Sequence, residues 1–311
     1  MNDENKYKYI QALEQANMDY LRLMQTPSKE KILGHQLLLI KKNFPLGLLR
    51  LYKNHKKWKN IDLKVSKLSK ISNEALYYNP GKIMNNVYGV AYTCITGGYD
   101  ELLTPLLTSD SLDYIAFSDN DKLHSDTWKI KSIDKLVGVF DNYINRYYKL
   151  QPKIIFPDYD FSIYVDGNVQ IISDVSMLYS IARESKVGIA MHKHVERDCL
   201  YDEGEACILH KRGNSTQIQK QMQKYENSGM PRHFGLLEAT IIVVDLKNPV
   251  ATEIMGQWWD EFNYWKSGRD QLAFPYVLWK NGYTLEDVGI LGNNKFLNPK
   301  FRIGGHSEWR K

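Results

Sequence analysis

The sequence predicts an α/β protein in which helices pack on the faces of a sheet. From about residue 87 onward, short apolar runs typical of buried strands alternate with segments of helical periodicity. Clusters of polar residues follow several of these runs, as they do in open α/β sheets that bind ligands. With 311 residues, 43% of them hydrophobic, the chain can bury a substantial core. We expect a basic helical region over residues 1–84 and one α/β domain over residues 85–311.

The N-terminal 80 residues are basic, and the rest of the chain is slightly acidic. Those 80 residues carry 15 Lys and Arg against 7 Asp and Glu, within a chain of net charge +5. A helix-like pattern covers the first 25 residues, and two short pieces over Ile32 to Trp58 interleave leucines with lysines. Such faces suit an anionic membrane surface, or a helical subdomain docked on the main domain. Without a helix-turn-helix or zinc-finger pattern, we expect no nucleic-acid partner.

The cellular setting expected from the sequence is the reducing cytoplasm. Three cysteines without a Cys-x-x-Cys pair argue against a disulfide framework and a structural zinc site. The N-terminus lacks the apolar core of a secretory signal, and no apolar run is long enough to span a bilayer. With the basic N-terminal helices, this predicts a cytoplasmic protein held peripherally at the inner face of the membrane.

The elements of the α/β domain follow one another in a regular order. Val87 to Ile95 is predicted to be a buried strand that ends in a glycine turn, and Tyr114 to Phe117 a second strand. A helix over Asp141 to Leu150 precedes the strand that begins at Phe161. The later elements expected are a helix over Asp174–Glu184, a strand over Val187–Met191, one long polar helix over Asp202–Tyr225, a strand over Leu237–Val244, a helix over Pro249–Trp265 and a helix over Asp270–Trp279.

The turn Asp166-Gly167-Asn168 is the strongest chemical feature of the sequence. It follows an apolar strand and presents two oxygen-bearing side chains two residues apart. That spacing suits a hard divalent cation, which can also hold a diphosphate. Glycine between them permits a phosphate or a metal to approach the backbone. A hairpin turn without a ligand is an equally good interpretation of this segment alone.

Eight ordered sequence blocks extend this picture over about residues 88–311. They are Tyr92-Thr93 with Gly97-Gly98-Tyr99-Asp100, Phe117-Ser118-Asp119, Asn145-Arg146 with Lys149, Phe156-Pro157-Asp158-Tyr159-Asp160, Asp166-Gly167-Asn168, His192 with Arg197-Asp198-Cys199, Tyr201 with Glu203-Gly204-Glu205-Ala206-Cys207, and Arg269-Asp270-Gln271. With them the chain resembles a family of bacterial and plant glycosyltransferase-like proteins, the latter related to plant mucilage polysaccharide synthesis. The resemblance implies a GT-A-like mixed sheet flanked by helices, and a Mn²⁺ or Mg²⁺ ion that the Asp-x-Asp-type turn holds against the donor diphosphate.

The resemblance also implies roles for individual residues. Asp166 and Asn168 would be metal ligands, completed by the late His306, although Asn168 contributes less charge than a second acid. Asp119 would contact the nucleoside or cap a helix. Arg146 and Lys149 would neutralise phosphate or form a solvated helix face. The implied nucleotide-sugar site comprises Thr93, Thr96, Tyr99, Asp119, Arg146, Lys149, Asp166, Gly167, Asn168, His192, Glu205 and Arg269.

Three residues are candidates for the chemical step itself. In sugar-transferring enzymes with a comparable Asp-Gln pair, these side chains lie beneath the donor sugar, which here implies Asp270 and Gln271. If the reaction inverts configuration, Asp270 or Glu238 could be the general base. If it retains configuration, Gln271 is better placed. Asp270 could instead stabilise a helix N-terminus, and the sequence leaves these alternatives open.

Two other classes of function compete with transfer. A metal-dependent hydrolase could use His192, His194 and Glu203, because two histidines two apart on an extended segment project to one side. A carbohydrate-binding protein without turnover would keep the same fold. The interpretation we adopt is a hexosyltransferase that moves a sugar from a nucleoside diphosphate to a cell-surface polysaccharide or lipid-linked glycan. UDP is the expected nucleotide.

Overall fold

The computed structural model describes Glu14, residues 77–133 and residues 141–304, and these contain a mixed seven-stranded sheet flanked by helices. The α/β class and the mixed sheet flanked by helices predicted above are confirmed. The helices predicted before residue 77, apart from Glu14, and His306 lie outside the described residues. The strands are β1 (Gly89–Ile95), β2 (Leu112–Ser118), β3 (Lys129–Ser132), β4 (Phe161–Val165), β5 (Val169–Ile171), β6 (Ile189–Lys193), β7 (Leu237–Asp245), β8 (Gly289–Gly292) and β9 (Phe301–Ile303).

The strand order of the main sheet is β3-β2-β1-β4-β7-β6-β8. From β1 the chain moves outward through β2 and β3, then returns to place β4 on the other side of β1, with all these pairs parallel. Ligands of open α/β sheets bind at such a reversal, beside the carboxyl ends of the strands. Strand β7 is antiparallel to β4 and β6. Its amino end therefore lies at the same edge of the sheet as their carboxyl ends.

Seven α-helices are described in the α/β domain. The helices predicted from Asp174 and from Asp270 begin as 3₁₀ turns and become α-helical only at Tyr179 and Phe274, and the largest difference from the prediction lies between residues 202 and 225. The single long helix expected over Asp202–Tyr225 is wrong, because the chain breaks at Gly213, whose φ is +86°. A Cβ there would lie 2.4 Å from the carbonyl oxygen of Ser267, so only glycine fits. The helices are α1 (Asp141–Leu150), α2 (Pro152–Ile155), α3 (Tyr179–Glu184), α4 (Leu200–Leu209), α5 (Ser215–Asn227), α6 (Pro249–Trp265) and α7 (Phe274–Lys280).

The sheet separates two apolar layers, because successive strand residues face opposite sides. In β1, Tyr92 joins the cluster that includes helix α6, whereas its neighbour Ala91 joins the cluster that includes helix α3. The fully buried Trp258 of α6 belongs to the first cluster, and its indole Nε1 donates to the carbonyl oxygen of Asp270 at 2.7 Å. The core thereby fixes the backbone of a candidate catalytic residue.

Neither a disulfide bond nor a membrane-spanning helix is found among the described residues. All three cysteines are buried and free. Among the described helices, none combines the length and the apolar character required to cross a bilayer.

A buried ion pair ties the N-terminal region to the α/β domain. The ammonium group of Lys300, which is fully buried, lies 2.5 Å from Glu14 Oε1 and donates to the carbonyl oxygen of Asp174 at 3.0 Å. Ser173 donates to the same Glu14 oxygen at 2.8 Å. Lys300 precedes β9, which pairs with β5 directly after the Asp166 turn. Glu14 is therefore packed against the segments that follow β5 and precede β9.

Replacing Glu14 with alanine is expected to lower the free energy of unfolding by about 3–5 kcal/mol, because it leaves the Lys300 ammonium buried without its anion. Chemical denaturation measures the loss, and the exposed Glu286→Ala variant should stay within about 0.5 kcal/mol of the parent. A second change, Lys300→Met in the Glu14→Ala background, should recover much of the loss. Equal stabilities of the two single glutamate variants would contradict the assignment.

Candidate active site

A polar cleft of about 860 Å³ opens at the edge of the sheet where β4 and β6 end and β7 begins. A smaller cleft of about 450 Å³ lies beside it, between the end of β1 and the turn after β4. Tyr99, Arg146, Asp166 and Arg269 line both. The two clefts together follow the strand-order reversal between β1 and β4, the place where the topology predicts a ligand.

Four charged side chains form a compact cluster at the inner end of this cleft. Asp270 Oδ1 lies 3.1 Å from Arg146 Nε, and its Oδ2 lies 2.8 Å from Lys149 Nζ. The same ammonium lies 3.4 Å from Asp166 Oδ1. Arg146 and Lys149 stand three residues apart on α1, so the helix presents both cations to the two acids. The predicted phosphate-neutralising pair and the predicted acids are thus in contact.

Asp270 is held in its ionised form. Burial alone would raise the pKa of its carboxyl, but the charges of Arg146 and Lys149 outweigh burial and hold the pKa well below its ordinary value. A carboxylate with so low a pKa is a weak proton acceptor. The Asp270 carboxylate instead holds the Arg146 and Lys149 side chains in place through its two ion pairs.

The turn after β4 can accept a hard cation. A Cβ at Gly167 would lie 2.9 Å from Asp100 Cβ, so the turn requires glycine. Asn168 Nδ2 donates to the carbonyl oxygen of Gly304 at 2.7 Å, which leaves the Asn168 carbonyl oxygen as an acceptor. The Asp166 side chain is 30% exposed. One carboxylate and one amide oxygen, both open to the cleft, are donors that suit Mg²⁺ or Mn²⁺.

Protein ligands for a complete metal cage are not assembled in the described part of the chain. No group of three or more His, Cys, Asp or Glu side chains there could hold a metal ion. The predicted third ligand, His306, lies outside the described residues. Any ion at Asp166 and Asn168 would therefore need further oxygen ligands from a bound diphosphate, from water or from outside these ranges.

A second polar group lines the other end of the cleft. Lys295 Nζ lies 2.8 Å from Glu238 Oε2 and 2.9 Å from Thr240 Oγ1. Thr240 also accepts, through its carbonyl oxygen, the backbone N–H of Asp166 at 3.0 Å. Glu238 and Thr240 stand two residues apart on β7, about 6.6 Å along the strand. The Glu238 backbone therefore lies about two strand residues beyond the point where β7 meets the Asp166 turn, and its side chain lines the same cleft.

His194 lies between two acids of this second group. Its Nδ1 accepts the backbone N–H groups of Glu196 and Arg197, so the neutral ring carries its proton on Nε2. Nε2 lies 3.6 Å from Glu203 Oε2 and 3.8 Å from Glu238 Oε1. Burial lowers the pKa of His194 despite the opposing effect of the two acids. Arg197 Nε donates to Glu203 at 2.6 Å.

Gln271 supplies a hydrogen-bond donor without a partner. Its side chain is 8% exposed and lines the cleft, and its amide Nε2 has no hydrogen-bond partner among the described residues. A buried donor left unsatisfied costs about 1–3 kcal/mol. An oxygen atom of a bound ligand would remove that cost.

Four predicted binding residues lie outside both clefts. Asp119 accepts the backbone N–H of Gly97 with both carboxylate oxygens at 3.1 Å, and so fixes the glycine turn after β1. Thr93 is buried within β1, and Glu205 is exposed on α4. His192 is buried in β6, whereas Thr96 lines the smaller cleft.

The two histidines do not form the metal pair that a hydrolase would need. A bulge in β6 shifts the pairing between Ala190 and His192, and the strand ends at Lys193, so the regular alternation fails. His192 Nε2 accepts from the side-chain amide of Asn298 at 2.8 Å, deep in the domain, while His194 lies in the cleft. The geometry gives no support to a His192, His194 and Glu203 metal site.

His192 is expected to make folding sensitive to acid. Burial, with a smaller effect of Lys295, lowers the pKa of His192 to about 3. Between its ordinary pKa near 6.5 and that value the unfolded chain binds the extra proton, so stability falls as pH falls, by up to about 1.4 kcal/mol per pH unit. Denaturation at several pH values should show this slope in the parent and in the exposed His210→Gln variant, but a shallower one in His192→Gln. Identical slopes in all three would contradict it.

Several cleft residues were missed by sequence reasoning. Lys295, Thr240 and Phe296 come from the start of β7 and from the turn after β8, and no motif marks them. Their approach to Asp166 depends on β7 lying between β4 and β6, which is a long-range pairing. Arg197 and Glu203 both lay in quoted blocks, but the ion pair between them was not predicted.

Comparison with known protein families gives one match. Residues 76–288 match the model described as the TOD1/MUCI70, glycosyltransferase-like domain. No curated protein matches the chain.

Several solved structures share a limited likeness with the chain. The WbbM bifunctional glycosyltransferase, in its apo structure, is 14% identical over 68% of this chain and 40% of its own, with a TM-score of 0.41. Mouse xyloside xylosyltransferase 1, apo form, is 8% identical over 70% and 97%, with a TM-score of 0.39. The galactosyltransferase LgtC, in complex with donor and acceptor sugar analogs, is 11% identical over 64% and 71%, with a TM-score of 0.35. At these values neither substrate nor mechanism transfers to this chain.

Proposed function

The chain belongs to the TOD1/MUCI70 glycosyltransferase-like family, and from this premise we propose that it is a hexosyltransferase that uses a nucleoside diphosphate sugar, with UDP as the nucleotide. The observation that carries the proposal is the cluster of Arg146, Lys149, Asp166 and Asp270 at the strand-order reversal. Buried cations at the carboxyl edge of an α/β sheet suit a diphosphate.

The charges of this cluster support a divalent cation as a partner. Asp166 and Asp270 balance Arg146 and Lys149 one for one, so a diphosphate entering here meets no net positive charge from these four groups. Asp166 and Asn168 would hold Mn²⁺ or Mg²⁺, with His306 as a further candidate ligand. When bound, such an ion neutralises the diphosphate and favours its departure.

The donor sugar is proposed to lie over Gln271. Its unpartnered amide nitrogen would donate to a sugar hydroxyl or ring oxygen, and Arg269 lines the same wall. Thr96, Tyr99 and Gly167, which line the smaller cleft, would contact the nucleoside and the diphosphate.

Glu238 is proposed as the general base. Asp270 has both oxygens in ion pairs and a depressed pKa, so it is the weaker acceptor of a proton. Glu238 pairs with Lys295 through Oε2, whereas its Oε1 lies 3.8 Å from Nε2 of the neutral His194. In the proposed step the acceptor oxygen bonds to the anomeric carbon, the bond from that carbon to the diphosphate breaks with its electron pair, and Glu238 takes the proton. A single displacement of this kind inverts configuration.

The proposal extends to the acceptor and to the place of the protein in the cell. We propose a cell-surface polysaccharide or a lipid-linked glycan as the acceptor. The protein would be cytoplasmic, with the basic segment Ile32 to Trp58 in contact with anionic lipid at the inner face of the membrane.

A panel of nucleotide sugars tests the function. With Mn²⁺ present, at least one nucleotide sugar should be hydrolysed slowly in the absence of an acceptor. Chelation of the Mn²⁺ should stop this hydrolysis. Nucleotide binding without any turnover would favour the glycan-binding alternative. Metal-dependent hydrolysis of substrates that lack a nucleotide, without nucleotide binding, would favour the hydrolase.

A further inference from the structure

An exposed aromatic ring stands at the outer end of the polar cleft. Phe296 lines the cleft and is 55% exposed, and Val195, also in the lining, is 42% exposed. The rest of that wall is polar and includes Glu238, Lys295 and His194. Apolar side chains left open at a cleft rimmed by polar groups mark a surface that a ligand covers.

The local backbone holds this ring in place. Phe296 is the middle residue of a 3₁₀ turn over Lys295–Leu297, directly after β8. Asn294 accepts the Phe296 backbone N–H at 2.9 Å, and Leu297 is buried in the domain. These contacts fix the backbone that carries the ring, which reduces the entropy cost of binding.

One lysine connects the ring to the proposed general base. Lys295 Nζ lies 5.2 Å from the centroid of the Phe296 ring and 2.8 Å from Glu238 Oε2. A single ammonium group therefore contacts both the ring and the carboxylate. A molecule that covers the ring can reach the carboxylate with a polar edge.

We propose that Phe296 and Val195 form a platform on which a pyranose ring of the acceptor glycan stacks, with one hydroxyl directed at Glu238. The inference rests on the proposed function and names its acceptor subsite. A pyranose has an apolar C–H face and a hydroxyl-bearing edge, which match an aromatic ring beside a buried carboxylate. The subsite lies in the same cleft as the Asp166 turn, where the donor diphosphate would bind.

Binding of simple glycosides tests the platform apart from turnover. Methyl glucoside, galactoside, mannoside and xyloside would be titrated into the full chain with UDP and Mn²⁺ present, and followed by saturation-transfer NMR. At least one should bind the parent, Phe296→Ala should bind it about tenfold more weakly, and Phe296→Trp should keep most of the affinity. Tyr264→Ala, which removes a more exposed aromatic ring outside the clefts, should have no effect.

Calorimetry of UDP on the same samples tests the proposed function separately from the acceptor platform. If UDP binds every variant equally but no glycoside binds the parent, or Phe296→Ala binds it as well as the parent, the acceptor platform is wrong and the proposed function stands. A loss of UDP affinity in Phe296→Ala would assign the ring to the donor and also overturn the platform. Failure of UDP to bind the parent would remove the proposed function and this inference with it.

Discussion

Replacing Asp166 with alanine is expected to reduce kcat/KM for a nucleoside diphosphate sugar by at least about 10²–10³-fold while the protein stays folded. The carboxylate is the acidic member of the proposed metal pair and lies 3.4 Å from Lys149. Without it, the turn has no carboxylate for a divalent cation, while the buried Lys149 ammonium keeps Asp270 as its acid partner. The side chain is 30% exposed in a turn, so the change leaves no cavity in the core.

An exposed aspartate near the other end of the same strand provides the control. Asp158 precedes β4, away from the carboxyl edge, and lines neither cleft. Asp158→Ala should keep the parent kcat/KM and the parent melting temperature. If Asp166→Ala were as active as Asp158→Ala, the turn after β4 would have no part in donor binding.

Replacing Glu238 with glutamine is expected to lower kcat for transfer by about 10²–10⁴-fold, the usual contribution of a general base. The amide keeps an oxygen for Lys295, so the 2.8 Å contact and the local packing are preserved. UDP affinity should therefore be unchanged, and the effect should fall on kcat. Steady-state kinetics with an acceptor, combined with calorimetry of UDP, measures both quantities.

The matched control for Glu238→Gln is Glu253→Gln, a change of the same kind on the exposed face of α6. It should leave both kcat and UDP affinity at parent values. A Glu238→Gln enzyme with parent kcat would require another proton acceptor, and Asp270→Asn would then be the next variant to measure. A fall in UDP affinity in Glu238→Gln would indicate a structural role for the carboxylate instead.

The part of the site carried by local sequence was predictable. Asp166 and Asn168 follow directly from a strand end and its turn, and Arg146 and Lys149 follow from helical spacing. Their contact with Asp270 could not be predicted from periodicity, because it joins residues more than 100 positions apart. Only the resemblance to a family linked the blocks before the fold brought them together.

The errors have physical causes that a single sequence does not display. A bulge in β6 separates His192 from His194, and a glycine with positive φ divides the helix predicted over Asp202–Tyr225. Lys295 and Phe296 reach the cleft because β8 is added beside β6 at the edge of the sheet. Such placement depends on strand pairing over long sequence separations, whereas sequence patterns report only local structure.

The proposed function requires that the turn after β4 binds a nucleoside diphosphate. Calorimetric titration of UDP into the full chain, with and without Mn²⁺, measures this in one experiment. We predict binding that weakens strongly when Mn²⁺ is withheld and is lost in Asp166→Ala, with Asp158→Ala indistinguishable from the parent. Binding that is indifferent to Asp166, or no binding of any nucleoside diphosphate in the presence of Mn²⁺, would contradict it.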